Sequence, residues 1–204
     1  MKGDREALRT LLKQGADVSG AQGDGMSALH YAAERGDAEM TDMLVYAGAN
    51  VSATTRIGHY TPLHLASQAG SAAVVQALVK AGADVAARTT TTGVTALHLA
   101  AATGNADVVK ILLNRGADAN AKDAEWGQTP LIYAAARNRA AAIRVLLARD
   151  ADPRVTTKTI DIAKQSALDR AATERQRKVL EAAVPKGQQA TASQIQAAMR
   201  RHRC

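Results

Sequence analysis

Three histidines recur at one spacing in this sequence, and histidine is the side chain that metal ions bind most often in proteins. His30, His64 and His98 follow one another at intervals of 34 residues. A zinc ion needs several such ligands, with each imidazole nitrogen about 2.0–2.1 Å from the metal. The regular spacing therefore makes metal binding the first chemical possibility to consider.

The histidines belong to a repeat with the same period. Segments with matching apolar and glycine positions, such as "TPLHLASQAGSAAVVQALVKAGAD", begin at Ser27, Thr61, Thr95 and Thr129, and a weaker copy begins at Ser166. A fixed period of this length is typical of stacked structural units. Equivalent residues in such a stack lie about one helix-packing distance apart, roughly 8–10 Å. The three histidines therefore cannot share one ion, and we predict no metal site.

No other group of residues points to catalysis. The sequence contains no P-loop, no GxGxxG motif after a strand, no HExxH and no CxxC pair. Aspartate and glutamate occur mainly in loops or on exposed helix faces, where they cap helices and increase solubility. We therefore expect no catalytic residue, no cofactor and no small-molecule substrate.

Each repeat unit has the signals of two short helices. The Thr61 hydroxyl can cap backbone N–H groups, and Pro62 suits the first helical position. A second helix is predicted from Ala72 to Ala81, and Gly82 provides a left-handed C-cap. The polar, threonine-rich stretch 83–94 then forms a loop that projects before the next helix pair.

Composition agrees with packing between small side chains. The chain is 47% hydrophobic but only 2% aromatic. No apolar run approaches the roughly 18–20 residues of a membrane span, and the N-terminus lacks the apolar centre of a signal peptide. Cys204 is the only cysteine, so it has no intramolecular disulfide partner. We predict a soluble chain, cytoplasmic by default, with a secreted or periplasmic location open if a signal segment was removed.

These units closely resemble the ankyrin repeat, which shares their "TPLHLA", "VV", "LL" and "GAD" positions. The resemblance covers residues 3–184. It implies an all-α repeat solenoid of stacked helix-turn-helix pairs with projecting hairpin-like loops, and it implies a non-enzymatic protein–protein interaction module. In such repeats the histidine helps to fix the corner between loop and helix, through hydrogen bonds with the neighbouring threonine and the backbone.

The predicted organisation has four parts. These are a partial N-terminal repeat (1–24), four full repeats (25–157), a C-terminal capping repeat (158–184), and a basic linker with a short helix (185–204). The unit of 34 rather than the usual 33 residues places one extra residue in each of three loops. Residues 3–17 match only the second half of a repeat, which would leave one side of that helix, around Leu8 and Leu11, uncovered. We therefore expect the chain to be an excerpt of a longer protein.

The last full repeat departs from the pattern at two turns. Asn138 replaces the glycine between its helices, and Asp150 replaces the glycine of "GAD". Asparagine tolerates a positive φ well and aspartate less well. We therefore expect this repeat, with the unit that follows it, to be the most irregular part.

Charge is distributed unevenly along the chain. Residues 1–136 hold 11 Lys and Arg against 13 Asp and Glu, whereas residues 137–204 hold 15 against 6. A basic C-terminal end can bind nucleic acid or another anionic surface, which is one alternative function. We favour a protein partner, because no aromatic residues are interleaved with the basic ones to stack on bases. A regulatory domain attached to an enzyme is another alternative.

The resemblance also implies where a partner would bind, on the loop tips and on the face of each first helix that lies on the concave side of the solenoid. The residues at those positions are Met26, Arg35, Arg56, Ile57, Tyr60, Gln68, Val94, Thr103, Trp126, Gln128 and Arg137. Trp126, the only tryptophan, has two interpretations: it packs between neighbouring loops, or it anchors a partner. We predict a monomer that binds a protein whose identity the sequence does not reveal.

Overall fold

The computed structural model describes residues 2–158, together with Arg170 and Glu174. Within residues 2–158 the chain forms helices and no β-strand longer than the isolated bridge between Ala21 and Ser27. The helices are α1 (Lys2–Lys13), α2 (Ala28–Arg35), α3 (Ala38–Tyr46), α4 (Pro62–Ala69), α5 (Ala72–Lys80), α6 (Ala96–Thr103), α7 (Ala106–Asn114), α8 (Pro130–Ala136) and α9 (Ala140–Leu147). The prediction of an all-α repeat solenoid is confirmed.

The helices stack in two layers. The first helices of successive repeats, α2, α4, α6 and α8, pack on one another, and the second helices, α3, α5, α7 and α9, form the other layer. Each first helix also packs on the second helix of its own repeat. Among the residues that the structure describes, no helix is long and apolar enough to cross a membrane.

The core consists of identical positions repeated along the stack. One row of leucines comes from the second helices, where Leu44, Leu78, Leu112 and Leu146 are buried. Buried alanines of the first helices lie in another row: Ala32, Ala66, Ala100 and Ala134. A methyl group at each of these places lets the first helices approach closely, which explains how a chain with so few aromatic residues forms a dense core.

At the N-terminal end of the stack, α1 takes the place of a second helix. Leu8 packs against the core, whereas Leu11, at the position of the buried Leu44, is half exposed. Ion pairs connect α1 to the next repeat: the Arg5 guanidinium contacts Asp37 at 3.0 Å, and it also contacts Glu39.

Glycine and its substitutes end the helices as expected. Gly36, Gly70 and Gly104 follow the first helices with φ between 66° and 86°. Asn138 and Asp150 also have positive φ, at 55° and 61°. The helices of their repeat are each one residue shorter, since α8 has seven residues and α9 eight, against eight and nine in the preceding repeats.

The left-handed backbone at Asp150 leads to a prediction about stability. A side chain in this conformation costs about 1 kcal/mol relative to glycine, and asparagine tolerates it better than aspartate. We expect Asp150→Gly to raise the free energy of unfolding by about 1 kcal/mol and Asn138→Gly to raise it by less. Urea unfolding followed by circular dichroism measures both free energies. Equal gains in the two variants, or a loss of stability in Asp150→Gly, would contradict backbone strain at Asp150.

The projecting loops contain the predicted extra residue. In the first loop the Gln22 N–H donates to the Met26 carbonyl at 2.9 Å. In the second loop the equivalent bond spans one residue more, from the Thr55 N–H to the Tyr60 carbonyl at 3.0 Å. The third and fourth loops repeat the longer spacing, with bonds from Thr89 to Val94 and from Asp123 to Gln128.

Neighbouring loops are also hydrogen-bonded to each other. The N–H of Arg56 donates to the Asp24 carbonyl, and equivalent bonds connect Thr90 to Gly58, Ala124 to Thr92, and Lys158 to Trp126, all between 2.8 and 3.0 Å. The loops therefore form one connected edge along the stack. The predicted capping repeat beyond Lys158 and the basic segment 185–204 lie outside the described residues, apart from Arg170 and Glu174.

Candidate functional site

The repeated histidines act as parts of the scaffold. His30, His64 and His98 are buried, and the Nδ1 atom of each accepts hydrogen bonds from the hydroxyl and the backbone N–H three residues earlier. With Nδ1 as acceptor, the proton lies on Nε2. In His30 and His98 this nitrogen donates to a carbonyl of the next loop, Tyr60 or Gln128, at 3.1 Å.

This environment keeps the imidazoles neutral. Burial lowers the pKa of all three histidines below the ordinary 6.5, and nearby carbonyl groups oppose the shift only in part. Among the residues that the structure describes, no group of three His, Cys, Asp or Glu side chains is arranged to hold a metal ion. Both ring nitrogens of His30 and His98 are already used in fastening loop to helix.

The fourth repeat tests this arrangement naturally, because Ile132 stands where the others have histidine. Within the described residues, the Thr129 hydroxyl is consequently buried without a hydrogen-bond partner, whereas the Thr95 hydroxyl bonds His98 at 2.9 Å. We expect Thr95→Val to lower the free energy of unfolding by about 1–2 kcal/mol and Thr129→Val to leave it unchanged or raise it. Chemical denaturation of the two variants checks the contrast, which similar losses in both would refute.

Most of the predicted partner-binding residues are accessible. Arg35, Arg56, Gln68 and Arg137 are exposed, Ile57 is 83% exposed, and Trp126 is 40% exposed. Half-buried side chains belong to Met26, Tyr60, Thr103 and Gln128. Several of these have structural contacts as well: the Tyr60 ring meets His64 edge-on at 6.0 Å between centroids, and the Thr103 hydroxyl donates to the Ala100 carbonyl.

Val94 does not present its side chain to a partner. It is only 4% exposed, since it closes the third loop: its carbonyl accepts from the Thr89 N–H, and its own N–H donates to the Thr89 hydroxyl. The predicted assignment of Val94 to the contact surface is therefore wrong. Ile57 is the opposite case: its side chain is 83% exposed and therefore has little contact with the neighbouring loops.

Trp126 is held by its backbone on two sides. Its N–H donates to the Asp123 Oδ1 at 2.7 Å, and its carbonyl accepts from the Lys158 N–H at 2.8 Å. The position of the ring is thus set by the fourth loop and the segment after it. The side chain is neither fully buried between loops nor fully free.

Asp123 supports this loop, although the sequence provided no reason to select it. Its carboxylate is only 4% exposed, and its Oδ2 accepts the hydroxyl hydrogen of Tyr133 at 3.1 Å. The Tyr133 ring in turn meets His98 of the preceding repeat edge-on, with centroids 5.1 Å apart. Asp123 stands where the two preceding loops have Thr55 and Thr89, and that exchange of residue type was the available signal.

We call Trp126, Tyr133, Arg137 and Asp123 the fourth-loop patch, because Asp123 binds the Trp126 N–H and the Tyr133 hydroxyl and the Arg137 charge acts on Tyr133. The Arg137 charge acts on Tyr133 and lowers the phenol pKa, against the stronger effects of burial and of Asp123, which raise it to about 12. The patch therefore combines two aromatic rings and a guanidinium on a hydrogen-bonded support.

Comparison with family models gives one match. A model described as ankyrin repeats, in three copies, matches residues 1–89, 55–123 and 97–194. These matches overlap and together extend over nearly the whole chain. A comparison with curated proteins found no match.

Proposed function

The chain belongs to the ankyrin-repeat family, and from this premise we propose that it binds a protein partner through its loop tips and the exposed face of its first helices. Members of this family are generally protein-interaction modules without enzymatic activity. The observation that carries the proposal is the hydrogen-bonded edge formed by the loops.

That edge presents side chains from an ordered backbone. Arg56 donates its backbone N–H to the previous loop, and the carbonyl of Trp126 accepts a bond from the next segment. Because little backbone freedom is lost when such a surface binds, a few side-chain contacts suffice for useful affinity. Tryptophan, tyrosine and arginine are also the residue types enriched among binding hot spots.

Affinity capture from a native extract tests the proposal. We expect the full chain to retain specific proteins and Trp126→Ala to retain much less of them. Tyr46→Ala is the matched control, because Tyr46 is an exposed aromatic residue at the end of α3, in the layer of second helices. Equal retention by wild type and Trp126→Ala, or equal losses in both variants, would count against the proposed surface.

A second candidate function rests on the charge distribution. The excess of Lys and Arg in residues 137–204 supports binding of nucleic acid or another anionic surface through the C-terminal end. Electrophoretic mobility shift at physiological salt, with and without residues 185–204, tests it. Loss of a clear shift on truncation would support this candidate, and negligible binding by both forms would exclude it for nucleic acid.

A further inference from the structure

The fourth-loop patch has a chemical preference that goes beyond the presence of a binding surface. Building on the proposed function, we propose that it selects partner segments in which a carboxylate side chain lies close to an apolar one. The inference comes from the charges around Trp126 and from the hydrogen bonds that those groups already make.

Four cations lie in or near the fourth loop. The Arg88 guanidinium donates to the carbonyls of Gly93 and Lys122 at 2.9 and 2.8 Å. The Lys158 ammonium donates to the Ala124 carbonyl at 2.7 Å. Lys122 precedes Asp123 in the loop, and Arg137 acts on Tyr133 from α8. We call Arg88, Lys122, Arg137 and Lys158 the basic collar.

No carboxylate of the described residues pairs with any member of the collar. The ion pairs that the described residues form involve other cations, such as Arg5 with Asp37 and Lys110 with Asp107. Backbone carbonyls satisfy the donors of Arg88 and Lys158 but carry no net charge to balance them. The collar therefore keeps its positive charge available to a partner.

The acidic groups of the same loop do not neutralise the collar. Both oxygens of the buried Asp123 are occupied, one by the Trp126 N–H and the other by the Tyr133 hydroxyl. Glu125 is exposed and makes no ion pair within the described residues. Two carboxylates, the buried Asp123 and the exposed Glu125, thus stand against four cations, so a net positive charge remains and the local field favours an anionic partner.

The apolar half of the preference comes from the two rings. The Tyr133 ring packs in part against the core and its hydroxyl donates to Asp123, so the half of this side chain that is accessible is mainly apolar. Trp126 is partly exposed, and within the described residues its indole N–H has no acceptor. A partner carboxylate or carbonyl can accept that hydrogen while an apolar side chain covers the ring.

A peptide fits this patch better than a nucleic acid does. Single strands are bound by successive aromatic platforms along a continuous basic groove. Among the loop residues that the structure describes, Trp126 is the only exposed tryptophan or tyrosine, and Glu125 adjoins it and would repel a phosphate. A short segment with one or two carboxylates and one apolar anchor matches the size and charge of the patch.

Selection from a displayed library of random peptides tests the inference. The full chain is immobilised, and peptides that also bind Trp126→Ala are removed. We expect the enriched peptides to carry more Asp and Glu than the starting library, together with an apolar residue at a constant distance from them. Enrichment without excess acid would overturn the charge preference, and no enrichment at all would overturn the whole inference.

Synthetic peptides from the enriched pool then separate the contributions. Trp126→Ala is expected to weaken binding by about 30-fold. Arg137→Gln and Lys122→Gln, as well as replacement of the peptide carboxylates by amides, are expected to weaken it several-fold. Arg149→Gln is the matched control, since Arg149 is an exposed arginine just after α9, outside the collar, and it should leave affinity unchanged.

The outcomes distinguish this inference from the proposed function. If the amide peptides bind as tightly as the acidic ones, the charge preference fails while a Trp126-dependent protein surface remains. If a single-stranded oligothymidine displaces the peptides and binds more tightly than they do, the patch is a nucleic-acid site and the inference is wrong. If native capture also fails, the proposed function fails with it.

Discussion

Lowering the pH from about 7 to about 5 should reduce the free energy of unfolding. The reason lies in His30, His64 and His98, whose pKa values are lowered in the folded protein by burial. Each Nδ1 accepts hydrogen bonds from a helix N-cap, and a proton there would face an N–H group instead of a lone pair. The unfolded chain has no such restriction and takes up protons near pH 6.5.

The sign follows from proton linkage. Above about pH 6.5 the histidines are neutral in both states, and their contribution to stability is fully present. As the pH falls below this value, the unfolded state binds protons that the folded state does not bind. Stability is therefore lost until the pH reaches the lower pKa values that the histidines have in the folded protein. Each histidine adds up to about 1.4 kcal/mol per pH unit, or about 4 kcal/mol per pH unit for the three together.

Urea unfolding across this pH range measures the effect. Asp37 provides a separate signal, because the Met40 N–H lowers the pKa of its carboxyl below 3.8, and its contribution is lost only in more acidic solution. A His98→Gln variant is less stable at neutral pH, but its stability should fall less steeply between pH 7 and pH 5. A wild-type stability that stays flat over this interval would show that the buried imidazoles accept protons without cost.

Replacement of Asp123 by alanine should lower the free energy of unfolding by about 2–4 kcal/mol. The carboxylate accepts two hydrogen bonds, and its removal leaves the Trp126 N–H and the Tyr133 hydroxyl without their partner. Binding of a Trp126-dependent partner should weaken as well, since the ring loses the support that orients it. Thermal or urea unfolding and a peptide-binding assay measure these two effects.

Two further measurements show whether the carboxylate itself is responsible. Asp123→Thr introduces the residue type that Thr55 and Thr89 provide in the preceding loops, and it should recover part of the lost stability. Tyr133 reports the same contact, because burial first and Asp123 second raise the pKa of its phenol to about 12. Tyr133→Phe identifies the part of the tyrosinate absorbance that belongs to Tyr133, because that variant lacks it. In Asp123→Ala this part of the absorbance should develop at a lower pH, closer to 10.

The Tyr133 contact also has a defined effect on stability in alkaline solution. A phenol whose pKa is raised in the folded protein stabilises that state fully below its unfolded pKa of about 10, and this contribution disappears as the pH rises through about 12. The alkaline loss should therefore be smaller in Asp123→Ala than in wild type. An unchanged tyrosine titration would mean that the bond to Asp123 contributes little to the Tyr133 environment.

Local sequence signals predicted the scaffold well. The "TPLH" stretch places a hydroxyl three residues before His64, and the structure shows the expected hydrogen bonds between them. Glycines and their substitutes Asn138 and Asp150 have the expected positive φ. These features depend on contacts within a few residues, so a repeated pattern is enough to identify them.

Side chains in the loops were harder to predict. Val94 and Ile57 are both apolar loop residues, yet Val94 is buried within its own hairpin and Ile57 points away from its neighbours. Their difference depends on how each loop closes and on what the adjoining loops cover. The repeat pattern is silent on both, because it leaves loop tips free to vary.

The sequence by itself determined the repeating pairs of helices and the length of the loops, because the same short-range pattern recurs along the chain, and its resemblance to ankyrin repeats supplied the stacking of the pairs and the structural role of the histidines. Only the tertiary structure decided that Asp123 is a buried support for Trp126. It also brought Arg88, Lys122 and Lys158 around one loop. The contacts of Arg88 and Lys158 join neighbouring loops, and the burial of Asp123 depends on what the adjoining repeats cover, so both depend on how the repeats stack.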